Sequence, residues 1–125
     1  MLLAQQRKDG FFNEYGGQDI GYQSLTLSFL AKLFLKNKDV NLKNAIERGL
    51  TVIENALDDF GNFDYHKMSR RMQFLYPHSI IVFERMGLIN KIVNGLERQL
   101  VINPSWLDDR YVIALTNDYL QAYLG

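Results

Sequence analysis

A glycine-rich segment near the start of the chain holds side chains that could bind a sugar or move a proton. Glu14, Tyr15, Asp19 and Tyr22 lie there among four glycines between residues 10 and 21. So many glycines indicate unusual backbone angles or the close approach of a partner. Tyrosine rings can stack on sugar faces, and the carboxylates can bind hydroxyl groups or act as acid or base, so Glu14, Asp19 and Tyr22 are candidates for substrate binding. The structural alternative is that Asp19 caps the first helix while the tyrosines seal the end of the bundle.

A second segment places a histidine and an arginine close to a tyrosine. His66 and Arg70 follow Tyr65 in a predicted long loop. An arginine can neutralise a substrate carboxylate while a tyrosine or histidine transfers the proton, so we take Tyr15, His66 and Arg70 as the candidate catalytic residues. An arginine in such a loop more often forms a structural salt bridge, for which the acidic candidates are Glu84, Asp19 and Asp109.

Five further residues are candidates for substrate binding. His78 follows a proline in the first turn of a predicted helix, and Glu84 is the one acidic residue of that apolar helix. A buried carboxylate must be paired or protonated, which singles out Glu84. Trp106 offers either a stacking surface or a cap on the core, and Asp109 and Arg110 open the last helix. Each of these residues also has a structural alternative. His78 can be packed in the interior, and Glu84 can pair with an arginine. Asp109 and Arg110 can cap the last helix and form an internal ion pair.

The composition argues against several classes of protein and site. Fourteen basic residues balance fourteen acidic ones, so a general nucleic-acid binder and a polybasic membrane-surface protein are both disfavoured. There is no cysteine, and the two histidines lack a spaced set of carboxylates, so we predict no metal site and no cofactor. The apolar runs are too short for a signal peptide or a membrane span, and we therefore expect a cytoplasmic location.

The spacing of hydrophobic residues predicts five helices and no strand. Their predicted bounds are residues 22–36, 41–59, 77–86, 89–101 and 108–124. Asn41 is the predicted N-cap of the second helix and Gly61 follows its end, while Gly87 is predicted to close the third. The first and third helices are apolar nearly all round, whereas the second and fourth carry a single apolar stripe. This alternation is typical of an inner ring of helices surrounded by an outer one.

The loops and turns repeat along the chain. Short connections follow the predicted inner helices and long ones lead into them, so the long loops gather at one end of the bundle, where function usually lies. The glycine-aromatic turn of residues 10–15 (GFFNEY) reappears in shortened form at residues 61–65 (GNFDY). Its spacing matches one helical hairpin with its loop, which indicates a stacked array of hairpins.

Glycine-aromatic turns that alternate with helical hairpins resemble the α/α-toroid superfamily. The stretch from Asp9 to Tyr22, with Ser69-Arg70 and residues 108–110 (DDR), is most similar to the toroid domains of carbohydrate-active bacterial proteins such as heparinase II/III-type polysaccharide lyases. A complete toroid has more helices than the five predicted here, so the chain resembles the C-terminal part of one. It lacks the Asp-x-Asp-Asp motif of the cyclases and the zinc-binding cysteine of the prenyltransferases. The resemblance therefore favours a sugar-type ligand over an isoprenoid.

The sequence thus predicts an all-α fold, with residues 1–125 forming one domain of about five helices in antiparallel hairpins, an incomplete α/α toroid. The resemblance implies a carbohydrate- or polysaccharide-related domain that binds an oligosaccharide and has little catalysis of its own. One alternative is a polysaccharide lyase or glycoside hydrolase completed by oligomerisation and acting through Tyr15, His66 and Arg70. Another is a helical-repeat module that binds a protein. Because five helices cannot cover the apolar inner helices, we also expect a homodimer that pairs them.

Overall fold

The computed structural model describes residues 6–12, 20–62, 75–101 and 109–124. Within these ranges the chain forms α1 (Ile20–Asn37), α2 (Val40–Ala56), α3 (His78–Val82), α4 (Met86–Glu97) and α5 (Asp109–Leu124). The same ranges contain no strand, and one isolated antiparallel bridge joins Gln6 to Phe12. The predicted all-α fold is confirmed, whereas the toroid assignment stays a prediction.

Helix α2 shows the predicted amphipathic pattern but begins earlier than predicted. Its inward face is buried along the whole helix and consists of Leu42, Ala45, Ile46, Gly49, Leu50 and Ile53. The prediction of Asn41 as N-cap was wrong, because Asp39 takes that role. The Asp39 carboxylate accepts hydrogen bonds from the backbone N–H groups of Asn41 and Leu42, at 2.7 and 3.2 Å. Asp39 has extended backbone angles, which let its side chain fold back over these otherwise unpaired donors.

The third predicted helix is much shorter in the structure. α3 ends at Val82, and the chain turns through Phe83, Glu84 and Arg85 before α4 begins. Glu84 has a φ of 51°, which lies in the left-handed region and ends the right-handed helix. The prediction that Gly87 closes the third helix was therefore wrong, since Gly87 lies in the first turn of α4.

The helices pack against one another as neighbouring pairs. α1 packs against both α2 and α3, and α3 also packs against α4 and α5, while α4 packs against α2. The core between them is formed by fully buried aliphatic side chains, which include Leu27, Ile46, Leu50, Ile53, Leu75, Ile80 and Leu88. Among the four helices up to residue 97, each helix thus packs against two of the others, and the arrangement in inner and outer helices stays a prediction.

Two glycine turns occupy equivalent places relative to the helix pairs α1–α2 and α3–α4. Gly10 precedes α1 and has a φ of 95°, and a Cβ atom there would clash with the backbone carbonyl of Arg48 on α2. Gly61 precedes α3 and has a φ of 82°, and a Cβ atom there would clash with the backbone carbonyl of Lys91 on α4. Each site therefore requires a residue that tolerates positive φ and has no side chain. The sequence similarity around the two glycines corresponds to a repeated structural position.

Candidate functional site

The structure describes the side chains of three of the predicted site residues. Tyr22, His78 and Glu84 lie on or beside α1 and α3. Asp109 and Arg110 form the first two positions of α5, and only their place in the helix is described. The remaining predicted residues lie outside the described ranges: Glu14, Tyr15, Asp19, His66, Arg70 and Trp106. The three predicted catalytic residues belong to this last group, so their roles stay predictions.

Glu84 is not the buried carboxylate that the sequence predicts. It is exposed in the turn after α3, because the left-handed turn carries its side chain away from the apolar face of that helix. The neighbouring Arg85 does not pair with it. The Arg85 guanidinium instead donates to the Glu54 carboxylate of α2 at 2.9 Å and to the Thr51 hydroxyl at the same distance. This ion pair ties α2 to the turn between α3 and α4.

The buried carboxylate of the described chain is Asp118 on α5, which the sequence analysis missed. Only 2% of its surface is exposed. One carboxylate oxygen accepts hydrogen bonds from the backbone N–H of His78 at 2.9 Å and from the Ser28 hydroxyl at 3.2 Å. The other accepts from the Lys32 ammonium at 3.4 Å. Asp118 therefore connects α5 to α1 and to the first turn of α3.

A sequence signal for this site existed in the register of the helices. Asp118 falls on the same face of α5 as the buried Leu115 and Ala122, three residues before it and four residues after it. Its partners Ser28 and Lys32 are likewise one helical turn apart on α1. Asp118 is thus a charged residue on the buried, apolar side of its helix, and α1 carries two polar residues in line with each other. Together these two patterns predict a buried polar contact between the helices.

His78 lies beside this carboxylate in the interior. It is buried, and its Nδ1 atom has no hydrogen-bond partner among the described residues. Burial lowers the pKa of His78, although the Asp118 carboxylate and a hydrogen bond to the backbone of Ser28 oppose that effect. The imidazole is thus held neutral near pH 7. This placement agrees with the packed histidine that we considered as the alternative to a ligand contact.

Tyr22 and Tyr76 complete the polar surroundings of this region. Tyr22 is half-buried in the first turn of α1, and Tyr76 is buried two residues before His78. Burial raises the pKa of Tyr76, and the charge of the Asp118 carboxylate adds to that rise. The backbone N–H of Tyr76 also donates to the Ser24 hydroxyl at 2.9 Å. Together these contacts hold the segment before α3 against α1, so their role is structural.

The described part of the chain contains no cluster of three or more His, Asp or Glu side chains that could hold a metal ion. The Asp118 site has one carboxylate, and its charge is already compensated by Lys32. The site is deeply buried and its hydrogen bonds are made within the protein, so its role is to hold the helices together.

An apolar pocket opens next to the Asp118 site. It has a volume of about 220 Å³ and lies where α3, α4 and α5 meet. We call it the α3–α4–α5 pocket. Its described walls are Pro77, Ile80, Ile81, Ile89, Ile92, Val93, Leu96, Tyr119, Ala122 and Tyr123.

Tyr119 contributes part of its side chain to the wall of this pocket. Its hydroxyl is buried and has no hydrogen-bond partner within the described ranges. Burial, together with the adjacent Asp118 carboxylate, raises the pKa of Tyr119 to about 12. The phenol therefore stays protonated across the physiological pH range and can donate a hydrogen bond.

The outward face of α5 carries a row of large apolar side chains. Ile113, Leu120 and Leu124 are 74%, 52% and 73% exposed. They are spaced seven and four residues apart, so they line up on the side of the helix opposite the buried Leu115, Asp118 and Ala122. We call these three residues the α5 stripe. A helix that is apolar on both sides is typical of a helix with a partner on each side.

We compared the chain with models of protein families, with curated proteins and with solved structures. None matches. In the described part of the chain, moreover, no helix has the length and hydrophobicity needed to cross a membrane. The function must therefore be argued from the pocket, the polar site and the α5 stripe themselves.

Proposed function

We propose that this protein is an α-helical assembly module that pairs with a second copy through the outward face of α5. The single observation that carries this proposal is the α5 stripe, which exposes three large aliphatic side chains on one helix face. Aligned apolar side chains at helical spacing are the usual means by which helices associate. This choice corresponds to the interaction-module alternative from the sequence, with an identical chain as the partner.

The charge distribution favours an identical partner. Asp118 is the only charged residue between residues 111 and 124, and its side chain is buried. The outward face of α5 in that range therefore offers no ionic group that would attract an oppositely charged protein. It also offers none that would repel a second copy of itself. A self-complementary surface of this kind suits a two-fold dimer.

The spacing of the stripe fits an antiparallel pairing. A two-fold axis near the middle of α5 would bring Ile113 beside Leu124 of the partner subunit. The same axis would bring Leu120 beside Asn117 of the partner subunit, and Asn117 is exposed on this face. A polar residue at such a seam typically specifies orientation at a cost in stability.

The expected strength follows from the exposed fractions. The two stripes together bury the equivalent of about four exposed aliphatic side chains, which contributes roughly 6–12 kcal/mol before the costs of association. Those costs are about 4–15 kcal/mol. We therefore expect a dimer that dissociates on dilution.

The first experiment measures the solution mass by light scattering over a dilution series. The wild-type mass should rise from 14.6 kDa toward twice that value as the concentration increases. Leu120→Glu should stay at 14.6 kDa because it buries two carboxylates at the seam. The matched control is Leu35→Glu, since Leu35 is 45% exposed on α1 and lies outside the stripe. Asn117→Leu should tighten the dimer about tenfold or more because it completes the apolar seam.

The second experiment tests the orientation of the pair. Because the chain has no cysteine, single cysteine variants give a disulfide only at the introduced positions. A mixture of Ile113→Cys and Leu124→Cys should form the mixed disulfide in the antiparallel dimer. Disulfides within each variant alone would instead indicate a parallel pair. A wild-type chain that remains a monomer at about 1 mM would refute the assembly function.

This proposal relocates the dimer contact that the sequence suggested. The predicted contact used the inner helices, and α1 does expose Phe29 and Leu33. The first three residues of α3, however, are buried inside the structure, so α3 offers less surface for pairing than α5. The three predicted catalytic residues of the carbohydrate-related alternative lie outside the described ranges, and the carbohydrate-related function stays a prediction.

A further inference from the structure

We propose that the corner where α1 ends and α2 begins binds the surface of a membrane that contains anionic lipids. We call it the basic corner and define it by Phe29, Leu33, Lys36, Lys38 and Val40. It belongs to other helices than the α5 stripe, so the inference does not depend on the assembly function. Three observations carry it: the local charge, the exposed apolar side chains, and the projection of the turn.

Positive charge is concentrated at this corner, although the whole chain has no net charge. Residues 32–43 contain four lysines and one acidic residue, while the rest of the chain has ten basic and thirteen acidic residues. The acidic residue is Asp39, whose carboxylate caps the start of α2. Lys32 is paired internally, but Lys36 and Lys38 are exposed and form no ion pair within the described part of the chain. Two lysines that lack an ionic partner favour an anionic one.

Large apolar side chains are exposed beside these lysines. Phe29 and Val40 are 61% and 64% exposed, and Leu33 is 46% exposed. Phe29, Leu33 and Lys36 follow one another at four and three residues, so they lie on one face of α1. Val40 is the first residue of α2 and follows Lys38 by two positions. Apolar side chains interleaved with lysines are typical of a surface that enters the headgroup region of a bilayer.

The form of the corner favours a lipid surface over a folded polypeptide. Residues 35–41 are all exposed, so the turn between α1 and α2 projects from the rest of the described chain. A peptide helix would need a groove, and the α3–α4–α5 pocket has no described wall from α1 or α2. A projecting turn inserts between lipid headgroups without a complementary groove. Anionic headgroups would meanwhile supply the partners that the lysines lack.

Co-sedimentation with vesicles tests the assignment on the full-length protein. The vesicles contain phosphatidylcholine alone or with about 30% phosphatidylserine. The wild type should bind the anionic vesicles about 25-fold or more tightly, because each of the two lysines contributes about fivefold near an anionic surface. Lys36→Gln combined with Lys38→Gln should remove this difference. Raising the salt from about 0.05 to about 0.5 M should also weaken the binding of the wild type.

A second variant and a charge control locate the binding. Phe29→Ser combined with Val40→Ser should weaken binding to the anionic vesicles about tenfold or more, because it removes the apolar groups that insert. Lys8→Gln combined with Arg98→Gln removes two exposed positive charges elsewhere. At about 0.15 M salt this control should bind within about twofold of the wild type. Circular dichroism of each variant reports whether its helices are intact.

Three results would overturn the proposal. The first is no binding at about 1 mM lipid, where even the affinity of one acyl chain is detected, or equal binding to both kinds of vesicle. The second is an equal loss of binding in the charge control, which would assign the effect to total charge. The third is unchanged vesicle binding by Phe29→Ser with Val40→Ser, together with binding of a DNA duplex that requires Lys36 and Lys38. That result would identify a general polyanion surface.

Discussion

Removing the Asp118 carboxylate should strongly destabilise the fold. Asp118→Ala deprives three donors of their acceptor: the backbone N–H of His78, the Ser28 hydroxyl and the Lys32 ammonium. The Lys32 side chain is 32% exposed and can turn to water, but the other two donors are buried. A buried polar group left without a partner costs about 1–3 kcal/mol. We therefore expect the free energy of unfolding to fall by about 4 kcal/mol, which agrees with the loss of one partner from a buried ion pair.

The assay is urea unfolding followed by far-ultraviolet circular dichroism. Urea slopes of about 1–3 kcal/mol per molar translate this loss into a midpoint roughly 2 M lower. Asp118→Asn keeps an acceptor oxygen and should lose about half as much, which keeps the test valid if the alanine variant does not fold. The exposed Asp59 supplies the control, and Asp59→Ala should change stability by no more than about 0.5 kcal/mol. Equal midpoints for Asp118→Ala and Asp59→Ala would refute the assigned role of Asp118.

Two further predictions concern His78 and the glycine turn before α3. Because burial lowers the pKa of His78, the folded state disfavours protonation of this side chain. The stability that neutral His78 contributes is therefore present above the pKa of the unfolded state, about 6.5, and is lost as the pH falls below that value. His78→Gln should flatten that part of the stability profile measured by urea unfolding, and an unchanged slope would contradict the assignment. Gly61→Ala should lower the free energy of unfolding by about 3 kcal/mol, because it combines a positive φ with a clash against the α4 backbone. Gly87→Ala should change the free energy of unfolding by no more than about 1 kcal/mol, since its Cβ would meet only the end of a flexible side chain. Thermal unfolding compares the two variants, and equal melting temperatures would be inconsistent with this account of Gly61.

The local pattern of the sequence was sufficient for most of the helices. The three- and four-residue spacing in α2 identifies its buried face because that face packs along its whole length. The end of α3 could not be predicted in this way. The apolar run continues past Val82, and the helix ends at a left-handed turn at Glu84, where local backbone hydrogen bonds run from Glu84 to Ile81 and from Arg85 to Ile80. Glutamate is not a residue type that favours such a turn, so the sequence gives no signal for it. Similarly, Asp39 and Asn41 are both good capping residues, so spacing alone did not decide between them.

The polar site was harder to predict because its members are far apart in sequence. Ser28 and Asp118 are separated by 90 residues, and His78 and Asp118 by 40. No local motif connects them, and their meeting depends on the order in which α1, α3 and α5 pack. The glycine turns are the opposite case, since the similarity around Gly10 and Gly61 is readable in the sequence and corresponds to one repeated structural position.

The most direct test of the assembly function is the solution mass of wild type and Leu120→Glu, measured side by side by light scattering across a dilution series. We expect the wild-type mass to approach twice 14.6 kDa at high concentration while Leu120→Glu remains at 14.6 kDa throughout. A wild-type mass of 14.6 kDa at every concentration, or a dimer that Leu120→Glu leaves intact, would contradict pairing through the α5 stripe.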